Sequence, residues 1–252
     1  MKSPVIVSPA VPERHESAAR LVLVRHGETE WARDGRHTGR TDIPLTELGR
    51  SQARVLGDRL RGRRFTGVFT SPLSRARETC DLAGLGRDAR VNDDLREWDY
   101  GRYEGRRTSE IRQEVPGWTV WREGAPGGEG ASEVGARADR VIEQARLAGG
   151  EIVLFSHGHF LRVLTARWLG LDPADGRLFA LAPATIGILG YEREQGVIIR
   201  WNDRCHLVLP SYIWAEQGDL DVTIGDPSAG SGDDRPARAP TTEADRPGRS
   251  AR

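Results

Sequence analysis

"LVLVRHGETEW", residues 21–31, runs four apolar residues straight into arginine, histidine and glycine. Leu21 to Val24 read as a strand, because a short continuous apolar run suits a strand covered on both faces. This strand carries a cation and an imidazole to its own carboxyl tip, an arrangement that serves an anion site better than a core. Two later strand runs end in the same manner. Residues 65–70 lead into Ser71-Pro72-Leu73-Ser74-Arg75, and residues 151–156 lead into His157-Gly158. Helical patterns lie between them. Leu48, Val55, Leu56 and Leu60 recur at helical spacing, with Thr46 as N-cap and Gly62 as stop. Ser71 and Pro72 open another helix as cap and first residue. Ser132 caps a helix through Val134, Ala138, Val141, Ile142 and Ala145, and Phe160, Leu164 and Trp168 share one face of the next. Residues 185–201 read as a hairpin. Strand–helix alternation of this kind predicts an α/β fold, a three-layer α/β/α arrangement with an open, mostly parallel central sheet. Such sheets place ligands beyond the carboxyl ends of their strands.

Composition agrees with one α/β domain in 252 residues, of which 37% are hydrophobic and 29% charged. Formal net charge is zero, which recommends neither nucleic acid nor an anionic membrane as partner. Cys80 and Cys205, far apart and alone, make neither a disulfide framework nor a cysteine metal site. Residues 1–19, rich in proline, serine and alanine, are expected to be flexible. Residues 221–252 carry almost no large apolar side chain and are expected to be disordered. A folded domain over 20–220 remains. With no apolar leader at the N-terminus and no run of membrane-spanning length, the expected location is cytoplasmic.

The strand tips and one irregular stretch, "LREWDYGRYEG", gather a chemically specific set. If the strands are parallel neighbours, Arg25, His26, Arg75, His157 and Glu97 converge on one crevice. The helices starting near Ser71 and His159 would aim unpaired N–H groups into it. Phosphate monoesters hydrolyse extremely slowly, so a catalyst gains by dividing the reaction through a phosphohistidine. Arginines would hold the equatorial oxygens, and a carboxyl group would first protonate the leaving alcohol and then deprotonate water. Each feature alone has a plain structural reading: a strand end in water, a capped helix, a core histidine. Chance would have to place compatible residues after three separate strands to produce them together.

These stretches resemble the histidine phosphatase superfamily in its phosphoglycerate-mutase-like branch. The similarity runs through "LVLVRHGETEW", "TGRTDIPLTELGRSQA", "TSPLSRARET", "LREWDYGRYEG", "VLFSHGHFLRVL" and "WNDRCHL". The resemblance implies that His26 becomes phosphorylated, that Arg25, Arg75 and His157 bind the phosphoryl group, and that Glu97 is the proton donor. It places Thr38, Gly39 and Tyr100 at the substrate, with Thr29 and His159 beside the pocket. Arginines around the pocket would oppose a metal cation, and no cofactor is expected; the partner is a small phosphorylated metabolite, and a homodimer stays open. Ala32 stands where many relatives have a phosphate-binding asparagine, and "GGEGAS" replaces Gly-Gly-Glu-Ser, leaving Glu129 at the rim.

The same pocket serves a phosphatase or a bisphosphate-primed mutase. Mutases of the branch carry a longer, more basic insertion between Glu97 and His157 than the aromatic-rich segment here, which favours hydrolysis. A phosphate-binding module without turnover is the reading from another class. A protonated Glu97 in the first step predicts activity favoured on the acid side. Trp98, Tyr100, Tyr103, Trp118 and Trp121 form either the packed interior of a cap or an apolar lid.

Overall fold

The computed structural model describes residues 19–207. The expectations for residues 1–18 and 221–252 fall outside these residues, as does the end of the 20–220 domain. Six strands form one sheet in the order β3-β2-β4-β1-β5-β6: β1 (Arg20–Arg25), β2 (Gly67–Thr70), β3 (Ala89–Val91), β4 (Glu151–Ser156), β5 (Ile186–Glu192) and β6 (Gln195–Asp203). β1, β4, β2 and β3 are mutually parallel, and the β5–β6 hairpin adds antiparallel to β1. The mostly parallel sheet expected from the sequence is therefore present. Edge strand β3, with a burial pattern of one half-buried and two exposed residues, carries no apolar run by which a sequence could announce it.

Alternation along the strands sorts the two layers. Leu21, Leu23, Ile152 and Leu154 enter a core with α6 (Ala131–Ala148) and α7 (Gly158–Trp168). Val22, Val24, Val68, Val153 and Phe155 enter a second core with Leu56, Leu60, Cys80 and Ala83, from α2 (Glu47–Leu60) and α3 (Ser74–Leu82) and the residue after it. Helices on both faces complete the three layers. The α6 face read from sequence is buried as expected, but its N-cap is Gly130, two residues before Ser132. Glu133 reaches back to the Gly130 N–H (2.7 Å), a short-range bond that holds the start of the helix there.

Thr46 caps α2 by accepting from the Gly49 N–H (3.0 Å). The inward face of α2 differs from expectation. Leu48 and Val55 are exposed at 55% and 37%, while Gly49, Ala53, Leu56 and Leu60 are buried. The cause is a close approach: a Cβ on Gly49 would lie 2.1 Å from the carbonyl oxygen of Glu28. α2 presses its smallest residues against the segment that leaves β1, and so fixes where His26 and Gly27 sit. Among the described residues no helix is long and apolar enough to cross a membrane.

Candidate active site

Register brings the three strand tips together. Arg25 pairs with Ser156 across β1–β4, and Thr70 with Phe155 across β2–β4. One residue further, the His26 N–H donates to Ser156 O (3.0 Å) and the Ser71 N–H to Phe155 O (2.9 Å). The convergence expected from sequence is therefore built by adjacent parallel strands ending in line.

His26 is buried, and its Nδ1 lies 2.7 Å from Gly27 O. A carbonyl only accepts, so Nδ1 carries the proton and Nε2 keeps its lone pair. Burial first, then the Arg75 and Arg25 cations, push the His26 pKa well below its ordinary value. The imidazole therefore stays neutral, and nucleophilic at Nε2, well into the acid range.

Arg75 has no exposed surface. Its Nε donates to His157 Nδ1 (3.2 Å), and its terminal nitrogens donate to Thr41 O (3.0 Å), Thr38 O (3.1 Å) and Gly39 O (3.0 Å). Four of the five N–H groups of a guanidinium are thus committed to protein, and the fifth, on the nitrogen that lies 3.9 Å from Asp42 Oδ1, makes no hydrogen bond among the described residues. The arginine places the 38–41 segment as well as contributing charge. Arg25 donates to Leu181 O, and its buried Nε has no protein partner, so it has a donor to offer an anion. The His26 and His157 rings meet edge to face at 5.1 Å between centroids.

Ser71 acts differently from the expected helix cap. α3 starts at Ser74, and its N-cap Leu73 makes no side-chain capping bond. The Ser71 hydroxyl instead lies 2.7 Å from His157 Nε2. Because Arg75 can only donate to Nδ1, Nε2 carries the proton of His157 and gives it to Ser71 Oγ. Sequence reasoning assigned Ser71 to a cap since Ser-Pro before a helix has that meaning; only strand register reveals the second partner.

The helix N-termini expected to aim unpaired N–H groups into the crevice are partly occupied by carboxylates, while the Gly158 N–H of α7 and the Arg75 N–H of α3 make no hydrogen bond among the described residues. The second and third N–H groups of α7 are taken by Glu97: His159 N–H donates to Oε2 (3.0 Å) and Phe160 N–H to Oε1 (2.8 Å). Trp98 N–H adds a second bond to Oε1 (2.9 Å). The start of α3 is similarly taken by Asp42, which accepts from Ser74 N–H (2.9 Å). Carboxylates settle at these ends because free N–H groups and the helix dipole favour negative charge. Oε1 thus accepts two N–H bonds and Oε2 one.

Of the remaining expected residues, Gly39 is held by its N–H to Glu104 Oε1 (2.8 Å), and a Cβ there would stand 2.5 Å from Trp98 O. Thr38 bonds its own loop through Arg36 O (3.1 Å). Tyr100 is buried, with its hydroxyl 2.6 Å from His159 Nδ1. Burial holds the phenol pKa well above its usual value and that of His159 well below, so two neutral groups share this hydrogen bond. Thr29 is buried and caps the short α1 (Glu30–Arg33) through the Ala32 N–H (3.2 Å); that bond is structural. Ala32 supplies no side-chain donor. Glu129 pairs with Arg137 (2.8 Å) and accepts from the Asp99 N–H (2.9 Å), which braces the segment carrying Glu97. Trp98, Tyr100, Tyr103 and Trp118 lie in the core, so the packed-cap reading fits these four; Trp121 is partly buried with its ring 5.0 Å from that of His159.

A cavity of about 260 Å³ is lined by Glu97 together with Gly39, Leu73 and charged residues. Its arginines are all paired: Arg40 with Asp99 (2.7 Å), Arg96 with Asp93 (2.9 Å), Arg137 with Glu129 (2.8 Å).

A neutral, buried imidazole flanked by two guanidiniums defines a centre for a tetrahedral anion. The chain belongs to the histidine phosphatase superfamily (branch 1), whose family pattern matches residues 21–204. It is 44% identical over 177 residues to an acid phosphatase of Mycobacterium tuberculosis, covering 69% of this chain and 87% of the relative. It is 40% identical over 185 residues to the sedoheptulose 1,7-bisphosphatase of Saccharomyces cerevisiae, covering 60% and 68%. The solved structure of a Mycobacterium tuberculosis open reading frame superposes with a TM-score of 0.70 at 41% identity, covering 73% of this chain and 97% of the other.

The buried histidines set a pH dependence of stability. Burial holds His26, His157 and His159 well below the ordinary imidazole range and His37 at about 4. An unfolded chain protonates these rings near pH ~6.5. Below that point the unfolded state binds more protons, so stability falls with pH, by up to about 1.4 kcal/mol per pH unit for each ring. His37 contributes to this loss down to about pH 4, where it titrates in the fold. Calorimetry between pH 8 and 4 is expected to give a flat Tm above pH ~6.5 and a steep decline below it, with inorganic phosphate making the decline shallower. A Tm that stays flat to pH 4 would mean that the rings already carry protons in the native state.

Proposed function

We propose that this protein is a metal-independent phosphatase of small phosphomonoesters that works through a phosphohistidine on His26. The observation that carries the reading is the His26 tautomer: Nδ1–H bound to Gly27 O leaves Nε2 free beside Arg25, Arg75 and His157. In the first step Nε2 attacks phosphorus, the P–O bond to the alcohol breaks, and the leaving oxygen takes a proton from Glu97. In the second, Glu97 takes a proton from water as its oxygen attacks phosphorus, the P–N bond breaks, and phosphate leaves neutral His26. Arg25 Nε, the remaining Arg75 N–H and the His157 Nε2–H now resting on Ser71 are the donors to the equatorial oxygens. Thr38, Gly39, Tyr100 and His159 line the substrate side, while Thr29 supports the loop.

The acid phosphatase and bisphosphatase relatives support hydrolysis. So does the cavity beside Glu97, where the arginines are matched by carboxylates and offer no unpaired cation to grip the second anionic group of a bisphosphate primer. A depressed His26 pKa also suits the acid-side activity expected from a protonated Glu97.

Phosphate release from an aryl phosphate, assayed with chelator and trapped in alkali for phosphohistidine, tests the reading. The expected result is unaltered turnover in chelator and a base-stable, acid-labile phosphoprotein. No turnover without a bisphosphate primer would favour a mutase, and a rate rising steadily through pH 8 would overturn the proton-donor assignment.

A further inference from the structure

The closing motif "WNDRCHL" supplies no group to the chemistry described above, yet two of its side chains reach the turn beneath the nucleophile. That turn, residues 181–185, holds the catalytic residues at the end of β1, Arg25 and the His26 that follows it. The Ala184 N–H donates to His26 O (3.0 Å), the Arg25 N–H donates to Thr185 O (3.4 Å), and the Arg25 guanidinium donates to Leu181 O. Ala184 has φ +52°, a left-handed conformation that a residue with a Cβ adopts only when its surroundings impose it.

The surroundings are the closing motif. His206 Nε2 lies 2.8 Å from Ala184 O and, facing a carbonyl, donates to it. The Ala182 N–H donates to Asn202 Oδ1 (2.8 Å), with Asn202 itself left-handed at φ +50°. Trp201 Nε1–H adds a bond to Ala180 O (2.6 Å). Asp203 accepts from the Cys205 N–H (3.0 Å) and pairs with Arg200 (2.5 Å), which fixes the chain reversal that carries His206. Ala184 is thereby clamped through both its polar backbone groups, with the nucleophile's carbonyl on one side and His206 on the other.

We infer that His206 is a positioning residue for the nucleophile, acting through Ala184 on the backbone of His26, with Asn202 as its partner on the same turn. The inference rests on His26 being the nucleophile. His206 bonds Ala184, whose N–H holds the His26 carbonyl, whereas the turn's bonds to Arg25 run through Leu181 and Thr185, so its removal acts first on the approach of Nε2 to phosphorus. Small displacements of a reacting atom are costly: a misplacement of about 1 Å can lower the rate by about 10²-fold.

The test compares wild type, His206→Ala, His206→Gln and Asn202→Ala by kcat, KM, Tm and the single-turnover rate of phosphohistidine formation on an aryl phosphate. Expected are a kcat and a phosphorylation rate lower by about tenfold or more in His206→Ala, with KM changed by less than about threefold. His206→Gln, which keeps a donor for Ala184 O, should recover most of the rate, and Asn202→Ala should show the same kcat-selective loss if His206→Ala does not fold. A lower Tm with unchanged phosphorylation rate, or a KM effect with kcat intact, would overturn the positioning role. Wild type that turns over without forming phosphohistidine would instead overturn the nucleophile assignment beneath it.

Discussion

His26→Ala is expected to abolish turnover while the fold and the phosphate site survive. The imidazole is neutral and makes one side-chain hydrogen bond, to its neighbour Gly27, so its removal strands no buried charge. Arg25, Arg75 and His157 keep their protein contacts. Removing a covalent nucleophile from a preorganised site costs about 10⁴-fold in kcat or more, because the remaining groups act together with it. Phosphate should still raise Tm in the variant, since any ligand that binds only the native state does so. The imidazole also contributes to stability loss at low pH, so the variant should decline less steeply on acidification than wild type. Initial rates on an aryl phosphate and Tm with and without phosphate suffice. More than about a hundredth of the wild-type rate in the variant would place the nucleophile elsewhere; loss of phosphate-dependent stabilisation would mean that the imidazole itself is part of the anion site.

The chemistry of this site is legible in the sequence because each component sits beside a feature that marks a strand end. An apolar run of four to six residues followed by Arg-His-Gly, Ser-Pro or His-Gly needs only parallel pairing to converge, and register supplies it. Contacts between polar groups were much less legible. Ser71 has two valid uses, a helix cap or a partner for His157, and local sequence favours the wrong one. The partial occupation of the helix N-termini is silent for the same reason: Glu97 and Asp42, distant in sequence, take some of their N–H groups. The α2 face was misread because a hydrophobic pattern weights Leu48 and Val55, whereas the contact with the His26 loop demands the small Gly49. Close approach of backbones leaves no hydrophobic signal. The brace from Asn202 and His206 is similarly silent, since its partners are backbone groups of an irregular turn.

Arg75→Lys is expected to damage binding and catalysis together, in contrast to the selective loss at His26. A lysine keeps the charge but replaces a planar fork of five donors by a point charge with three. It cannot span His157 Nδ1 on one side and the carbonyls of Thr38, Gly39 and Thr41 on the other. The carbonyls left without partners destabilise the 38–41 segment, and His157 loses the donor that holds its proton on Nε2, the atom facing Ser71. An ammonium that moves toward phosphate abandons the loop, and one that stays with the loop abandons phosphate. We expect kcat/KM to fall by about 10³-fold or more, corresponding to roughly 4 kcal/mol of transition-state stabilisation. Tm should fall as well, because a fully buried network is broken, and phosphate should restore less of it than in wild type. Titration of the histidine rings by NMR provides a separate readout, with the His157 tautomer no longer fixed. Near-normal phosphate affinity together with a disordered His157 tautomer would reduce Arg75 to a scaffold for the loop. Near-normal activity would remove it from the site altogether. The double variant with His26→Ala should retain the stability loss of Arg75→Lys and add little to the catalytic loss of His26→Ala, as expected for groups that serve one transition state.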